Sequence, residues 1–240
     1  MKQCAFIAAA GLAASAATAQ VTVEIGQSDA PWLAFMNVFE LPAPGDETGA
    51  FVFGSGWGVN DLVSSFDDGA QTLTMFPNQI GDPNEFWYQE APGGDPGDPN
   101  NGGPGAPGNK IMEGNLFQEI NAFSADSISG ELVTFEGTLL SDTFTEAHRV
   151  RVFIRDFAAD FSSVNETIVE LTSPGDFSIS LLTTDDGTDR KVQWGIQVTG
   201  VNVWNTDAAP FGNAVFATIP APGAACLLAL GGLAAARRHR

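Results

Sequence analysis

The chain has 240 residues, of which 29 are acidic and 10 basic, giving a net charge of −19 at pH 7 with 16% of residues charged. An acidic surface of that size repels phosphate backbones, so nucleic-acid binding is excluded. The two cysteines, Cys4 and Cys226, stand near opposite ends, so neither a disulfide nor a cysteine–metal site is expected within the body between them, and its stability must come from burial.

Met1 and Lys2 precede an apolar run over 4–14, and Ala17, Thr18 and Ala19 lead to Gln20. A basic start, an apolar run too short to span a bilayer and small residues before Gln20 predict a secretory signal peptide over 1–19, cut by signal peptidase. Residues 20–218 then form the exported domain, about 200 residues, enough for one large β domain. All 29 acids fall between Glu24 and Asp207, whereas Lys2, Arg237, Arg238 and Arg240 lie in the end segments, so this domain carries six basic residues and a net charge of −23. The acids are dispersed, as on a solvated surface.

Residues 21–25 alternate apolar and polar, and 32–41, 49–58 and 71–76 read as further strands, with the polar stretch 64–69 as a separator. Residues 91–109 are mostly Gly and Pro and form a surface loop, with strand-like sequence on both sides. Beyond it Val133, Phe135 and Leu139 share a face opposite Thr134, Glu136 and Thr138. Val150, Val152 and Ile154 oppose Arg149, Arg151, Phe153 and Arg155; Phe177, Ile179 and Leu181 alternate with serines; and Val192, Trp194, Ile196 and Val198 alternate with Lys191, Gln193 and Gln197. Only 142–147 and 158–163 have room for a helical turn. Short alternating strands separated by turn residues predict an all-β fold, an antiparallel β-sandwich of jelly-roll (galactose-binding-like) type, with helices only in the terminal signal and sorting segments.

The tail over 219–240 opens with Pro220, Ala221 and Pro222, continues uncharged from 223 to 236 and ends in Arg237, Arg238 and Arg240. Fourteen residues make about 21 Å of helix, short of the roughly 30 Å hydrocarbon core. Transient membrane insertion with the arginines held on the cytoplasmic side is expected. The arrangement resembles the PEP-CTERM sorting signal of exported bacterial proteins, in a variant form with Ala221 where that family carries Glu. The resemblance implies an exosortase-type sorting enzyme as a partner and export across the cytoplasmic membrane to the cell surface, envelope or extracellular matrix.

A second resemblance rests on Gly54-Ser55-Gly56-Trp57-Gly58 with Asp61-Leu62, on Phe86-Trp87-Tyr88, on 108–112 and on Val203-Trp204. These segments resemble modules of exported bacterial proteins, some joined to polysaccharide-degrading enzymes, with a carbohydrate-binding jelly-roll fold spanning 32–218. Sugars present apolar C–H faces to flat rings and hydroxyls to neighbouring amides, which makes Trp204, Asn202, Trp57, Trp87 and Tyr88 the candidate polysaccharide-binding residues. Val201 and Val203 are expected to point inward, with Asn202 and Trp204 on the opposite face. For a structural Ca²⁺ the candidates are Asp95, Asp98 and Asn100 within the loop, or an ion tying Glu40 to Asp207. His148 reads as a solvated strand-end residue, and no nucleophile elbow or zinc motif stands near it, so a non-enzymatic module is expected. A purely structural or adhesive component and a glycan-active hydrolase are the alternatives.

Overall fold

A computed structural model describes residues 19–81, 108–145 and 147–219. The expected signal segment before Ala19, Trp87, Tyr88, Asp95, Asp98, Asn100 and the tail from Pro220, with the terminal helices expected at the ends, lie outside these residues.

The described chain forms fourteen strands: β1 (Gln20–Val23), β2 (Leu33–Glu40), β3 (Phe51–Trp57), β4 (Ser64–Asp67), β5 (Thr72–Met75), β6 (Gln79–Ile80), β7 (Lys110–Asn121), β8 (Leu132–Asp142), β9 (His148–Phe157), β10 (Val164–Glu170), β11 (Gly175–Leu182), β12 (Lys191–Val201), β13 (Val203–Trp204) and β14 (Ala214–Ala217). Twelve of them build two six-stranded sheets. The first is mixed: β8 pairs with β11 along one edge and with both β1 and β14 along the other, and β5 and β4 follow β14. The second is antiparallel throughout, in the order β10-β9-β12-β7-β2-β3. β6 and β13 form a small parallel pair. The chain passes directly from one six-stranded sheet to the other after β1, β3, β7, β8, β10 and β11.

One hydrophobic core draws on both sheets. Alternation supplies it, because successive side chains on a strand point to opposite faces. Val133, Phe135 and Leu139 of β8, with Phe177, Ile179 and Leu181 of β11 and Phe216 of β14, face Val150, Val152 and Ile154 of β9 and Val192, Ile196 and Val198 of β12, all buried. Phe135 and Phe177 meet edge to face at 5.2 Å, and Phe177 and Phe216 at 6.4 Å, the geometry favoured by ring quadrupoles. One ion pair is sealed within the fold. Asp156, at the end of β9 and fully buried, accepts hydrogen bonds from Arg190 Nε and the Thr184 backbone N–H, each at 2.8 Å, while Arg190 also donates to the Asp156 carbonyl. These bonds tie the segment between β11 and β12 to the second sheet.

The structure differs from the sequence reading in several places. The polar stretch 64–69 holds a strand, β4, because Phe66 packs against the core and the strand hydrogen-bonds to β5. The stretches 142–147 and 158–163, which have room for a helical turn, hold no helix among their described residues; the described helical turns are 3₁₀ turns at Val59–Leu62, Asn205–Asp207 and Ala209–Phe211. Asn202 is buried, not on an open face: its side-chain oxygen accepts from the backbone N–H of Asn109 and of Lys110. His148 is buried as well.

Phe135 and Leu140 share β8 but differ in burial, the first fully buried and the second 48% exposed. Phe135→Ala is expected to cost about 3–5 kcal/mol and Leu140→Ala about 0.5 kcal/mol or less, as read by urea denaturation of the two variants.

Candidate functional site

The outward face of the second sheet is where side chains with chemistry converge. The strand register aligns them in rows across β2, β7, β12, β9 and β10. One row runs Phe35, Asn115, Gln197, Arg151, Glu170; the next Leu33, Phe117, Gly195, Phe153, Ile168; and a third joins Glu119, Gln193, Arg155 and Glu166. An outward antiparallel face is ordinarily washed by solvent. Here Gln197 is 1% exposed and Asn115 2%, so their amides must find protein partners.

They do. Asn115 Oδ1 accepts from Arg155 Nη1 at 2.9 Å and from Gln197 Nε2 at 3.0 Å, and its own amide nitrogen donates to the Phe35 carbonyl at 3.3 Å. Arg155 Nε donates to Glu166 at 3.0 Å, and the guanidinium lies 4.1 Å from the centre of the Phe153 ring, a cation–π contact. Gln193 Nε2 donates to Glu119 at 2.7 Å, and Asn37 Nδ2 to Glu113 at 2.9 Å. Arg149 and Arg151 share Glu47 at 2.7 and 2.8 Å. The Arg151 hydrogen bond holds the Glu47 carboxyl below its ordinary value, against the opposing effect of burial.

Between these rows and the β9–β10 hairpin lies a pocket of about 410 Å³, lined by Phe35, Asn37, Asn115, Phe117, Arg155, Phe157, Phe161 and Gln193. Its walls are four phenylalanine rings and its polar groups are amides and one guanidinium held by the network above. Two glycines make the packing possible. A Cβ on Gly54 would lie 2.6 Å from Asn37 Oδ1 and 3.0 Å from the Phe35 ring, and one on Gly195 would lie 2.7 Å from Phe117 Cα. Phe161 enters from the hairpin with φ of 59°, a left-handed backbone that costs a side-chain-bearing residue about 1–2 kcal/mol. Four of the six basic residues of the body, Arg149, Arg151, Arg155 and Lys191, stand on this face, with Glu47, Glu113, Glu119, Glu166 and Glu170 beside them. The face therefore has no excess of positive charge.

The described residues singled out from sequence lie elsewhere. Trp57 and Trp204 pack against the core, Trp204 on the small β6–β13 pair, and Asn202 holds backbone as described. Glu40 pairs with Lys110 at 3.2 Å, and Asp207 accepts from Thr206 Oγ1 at 2.9 Å. Among the described residues no group of three or more His, Cys, Asp or Glu is placed to hold a metal ion. The groove escaped the sequence reading because five of its eight residues come from β2 and β7 or from the hairpin, and only Arg155, Phe157 and Gln193 lie on β9 and β12. Arg155 and Gln193 were legible as outward residues of two alternating strands, on the face where the groove lies.

His148 sits between Phe144, stacked at 5.7 Å, and Phe211, edge-on at 5.4 Å, with its Nε2 3.0 Å from the Val201 carbonyl. A carbonyl only accepts, so Nε2 carries a proton in either charge state of the ring. Burial pushes its pKa from 6.5 down to about 4, the carbonyl opposing. A folded pKa below the unfolded one means that the unfolded chain binds the extra proton, so the stability this group contributes is present above pH 6.5 and is lost as pH falls toward 4. Between pH 7 and pH 4.5 the wild type is expected to lose about 2–3 kcal/mol through this residue, and His148→Leu is expected to lack that part of the slope in denaturation curves at the two pH values.

Compared with known protein families, curated proteins and solved structures, the chain matches none of them.

Proposed function

We propose that this chain is an exported, non-enzymatic β-sandwich module of jelly-roll type that binds polysaccharide in the groove on the outward face of its second sheet, at the cell surface or in the extracellular matrix. The groove carries the reading: phenylalanine rings offer flat apolar surface to the C–H faces of a pyranose, while amides already held in place meet its hydroxyls. Gln193 Oε1 and Asn37 Oδ1 are acceptors on side chains whose nitrogens are engaged by Glu119 and Glu113, and the Arg155 guanidinium supplies donors. Rigid polar groups lose little freedom on binding, which favours affinity.

Export is supported by the two ends. A cut after Ala19 leaves β1 whole, since that strand opens at Gln20. Removal of the tail beyond Pro222 leaves β14 and the bridge from Gly26 to Ile219 intact. The sorting reading of Pro220, Ala221, Pro222, Arg237, Arg238 and Arg240 rests on sequence.

Two measurements test this function. Native electrophoresis of the full chain through gels containing laminarin, hydroxyethylcellulose, amylopectin or polygalacturonate is expected to show retardation by at least one of them, with Phe35→Ala weakening it about tenfold; migration unchanged in all four removes the polysaccharide reading. Intact-mass analysis of the protein recovered from its exporting cell is expected to begin at Gln20, and a retained Met1 removes the export reading.

A further inference from the structure

The β9–β10 hairpin turns through residues 158–163, where the Phe161 N–H donates to the Ala158 carbonyl at 2.9 Å and the Ser162 N–H to Asp160 Oδ1 at 3.0 Å. At Phe161 the backbone is left-handed, a conformation that glycine or asparagine adopts with ease and a bulky side chain resists. Burial gives no compensation, since the ring is 55% exposed. Its neighbours are Phe157, with centroids 5.4 Å apart, and Lys191, whose Nζ is 5.9 Å from the ring centre. Val63 shares the unusual backbone, so strain alone carries nothing. What sets Phe161 apart is that its ring walls the groove.

We infer that Phe161 is the ring on which the ligand stacks, held over the groove by its left-handed turn, and that this ligand is a neutral pyranose chain. The inference rests on the reading of the groove as a polysaccharide site. Neutrality follows from the charges behind the wall. Asn37, Gln193 and Arg155 each hydrogen-bond a glutamate, Glu113, Glu119 and Glu166 respectively, so three carboxylates stand one bond behind the groove against the Arg155 guanidinium and the Lys191 ammonium beside Phe161. A uronate would meet net repulsion there, whereas an uncharged sugar would not. The half-exposed ring then has the same logic as the amides: it is set in position before the ligand arrives.

The test compares the wild-type full chain with Phe161→Gly and Phe161→Trp in gels containing laminarin, hydroxyethylcellulose, amylopectin or polygalacturonate. Glycine suits the left-handed position, so Phe161→Gly is expected to melt within about 3 °C of wild type while its dissociation constant for the retarding neutral glycan rises tenfold or more. Phe161→Trp is expected to keep the binding. Should Phe161→Gly melt well below that range, Phe161→Asn, which also tolerates the backbone, gives the same readout. Wild-type affinity in a stably folded glycine or asparagine variant overturns the role of Phe161 and leaves the groove reading standing if Phe35→Ala still weakens binding. Retardation by polygalacturonate alone overturns the neutral ligand. No retardation of the wild type by any of the four overturns the groove reading, and this inference with it.

Discussion

The two sheets are held together by alternating rows of apolar side chains, and no described residue adds a covalent link, both cysteines lying outside the described chain. That constraint explains the composition of the long strands. β8, β9 and β12 each turn a row rich in Val, Ile, Leu, Phe or Trp inward, and burial of such rows at about 25 cal/mol per Å² is the main source of stability open to the domain. Register is set by the same rows, because a slip of one residue would carry every inward side chain to the outside. The buried Asp156–Arg190 pair adds to this arrangement. A charge sealed at 0% exposure is tolerable only with its partner and its hydrogen bonds in place, so it specifies where the segment after β11 must dock.

A consequence of this register is the outward face of the second sheet. With β9 and β12 committed to inward Val, Ile and Trp, their intervening residues, Arg149, Arg151 and Arg155 on one and Gln193, Gln197 and Thr199 on the other, must project outward side by side. β7 contributes Glu113, Asn115 and Glu119 at the facing positions. Three strands of long polar side chains so close together screen one another from water, and the network of amides, carboxylates and guanidinium groups follows from the need to satisfy every buried polar atom. The groove is the gap that this network leaves beside the rings of Phe35, Phe117, Phe157 and Phe161. Its polar walls are consequently rigid without any contribution from a ligand.

His148 and Asn202 illustrate how a polar residue near a strand end can be drawn inside. His148 fills the space between Phe144 and Phe211, two residues 67 positions apart in the chain, and Asn202 caps two backbone N–H groups where β7 begins. Neither environment has a local signature. Each is made by an element far away in sequence, and for that reason both residues read as solvent-facing until the fold is assembled.

Alternation and turn residues alone determined the all-β class, the inward faces of β8, β9, β11 and β12, and the cysteine-free, acidic character of the body, because a period of two and a net charge are local or additive properties. The same reading missed β4, β6, β10 and β14, whose core-facing residues are too few to stand out, and placed no strand over β7 although it lies in the middle of the second sheet. The tertiary structure decided which strands are neighbours and therefore which outward residues meet. Asn37, Asn115, Arg155 and Gln193 are separated by up to 156 positions and form one wall only after strand pairing brings them within hydrogen-bonding distance of a shared network. Pairing between distant strands is set by the free energy of the whole assembly, which no single stretch of the chain contains.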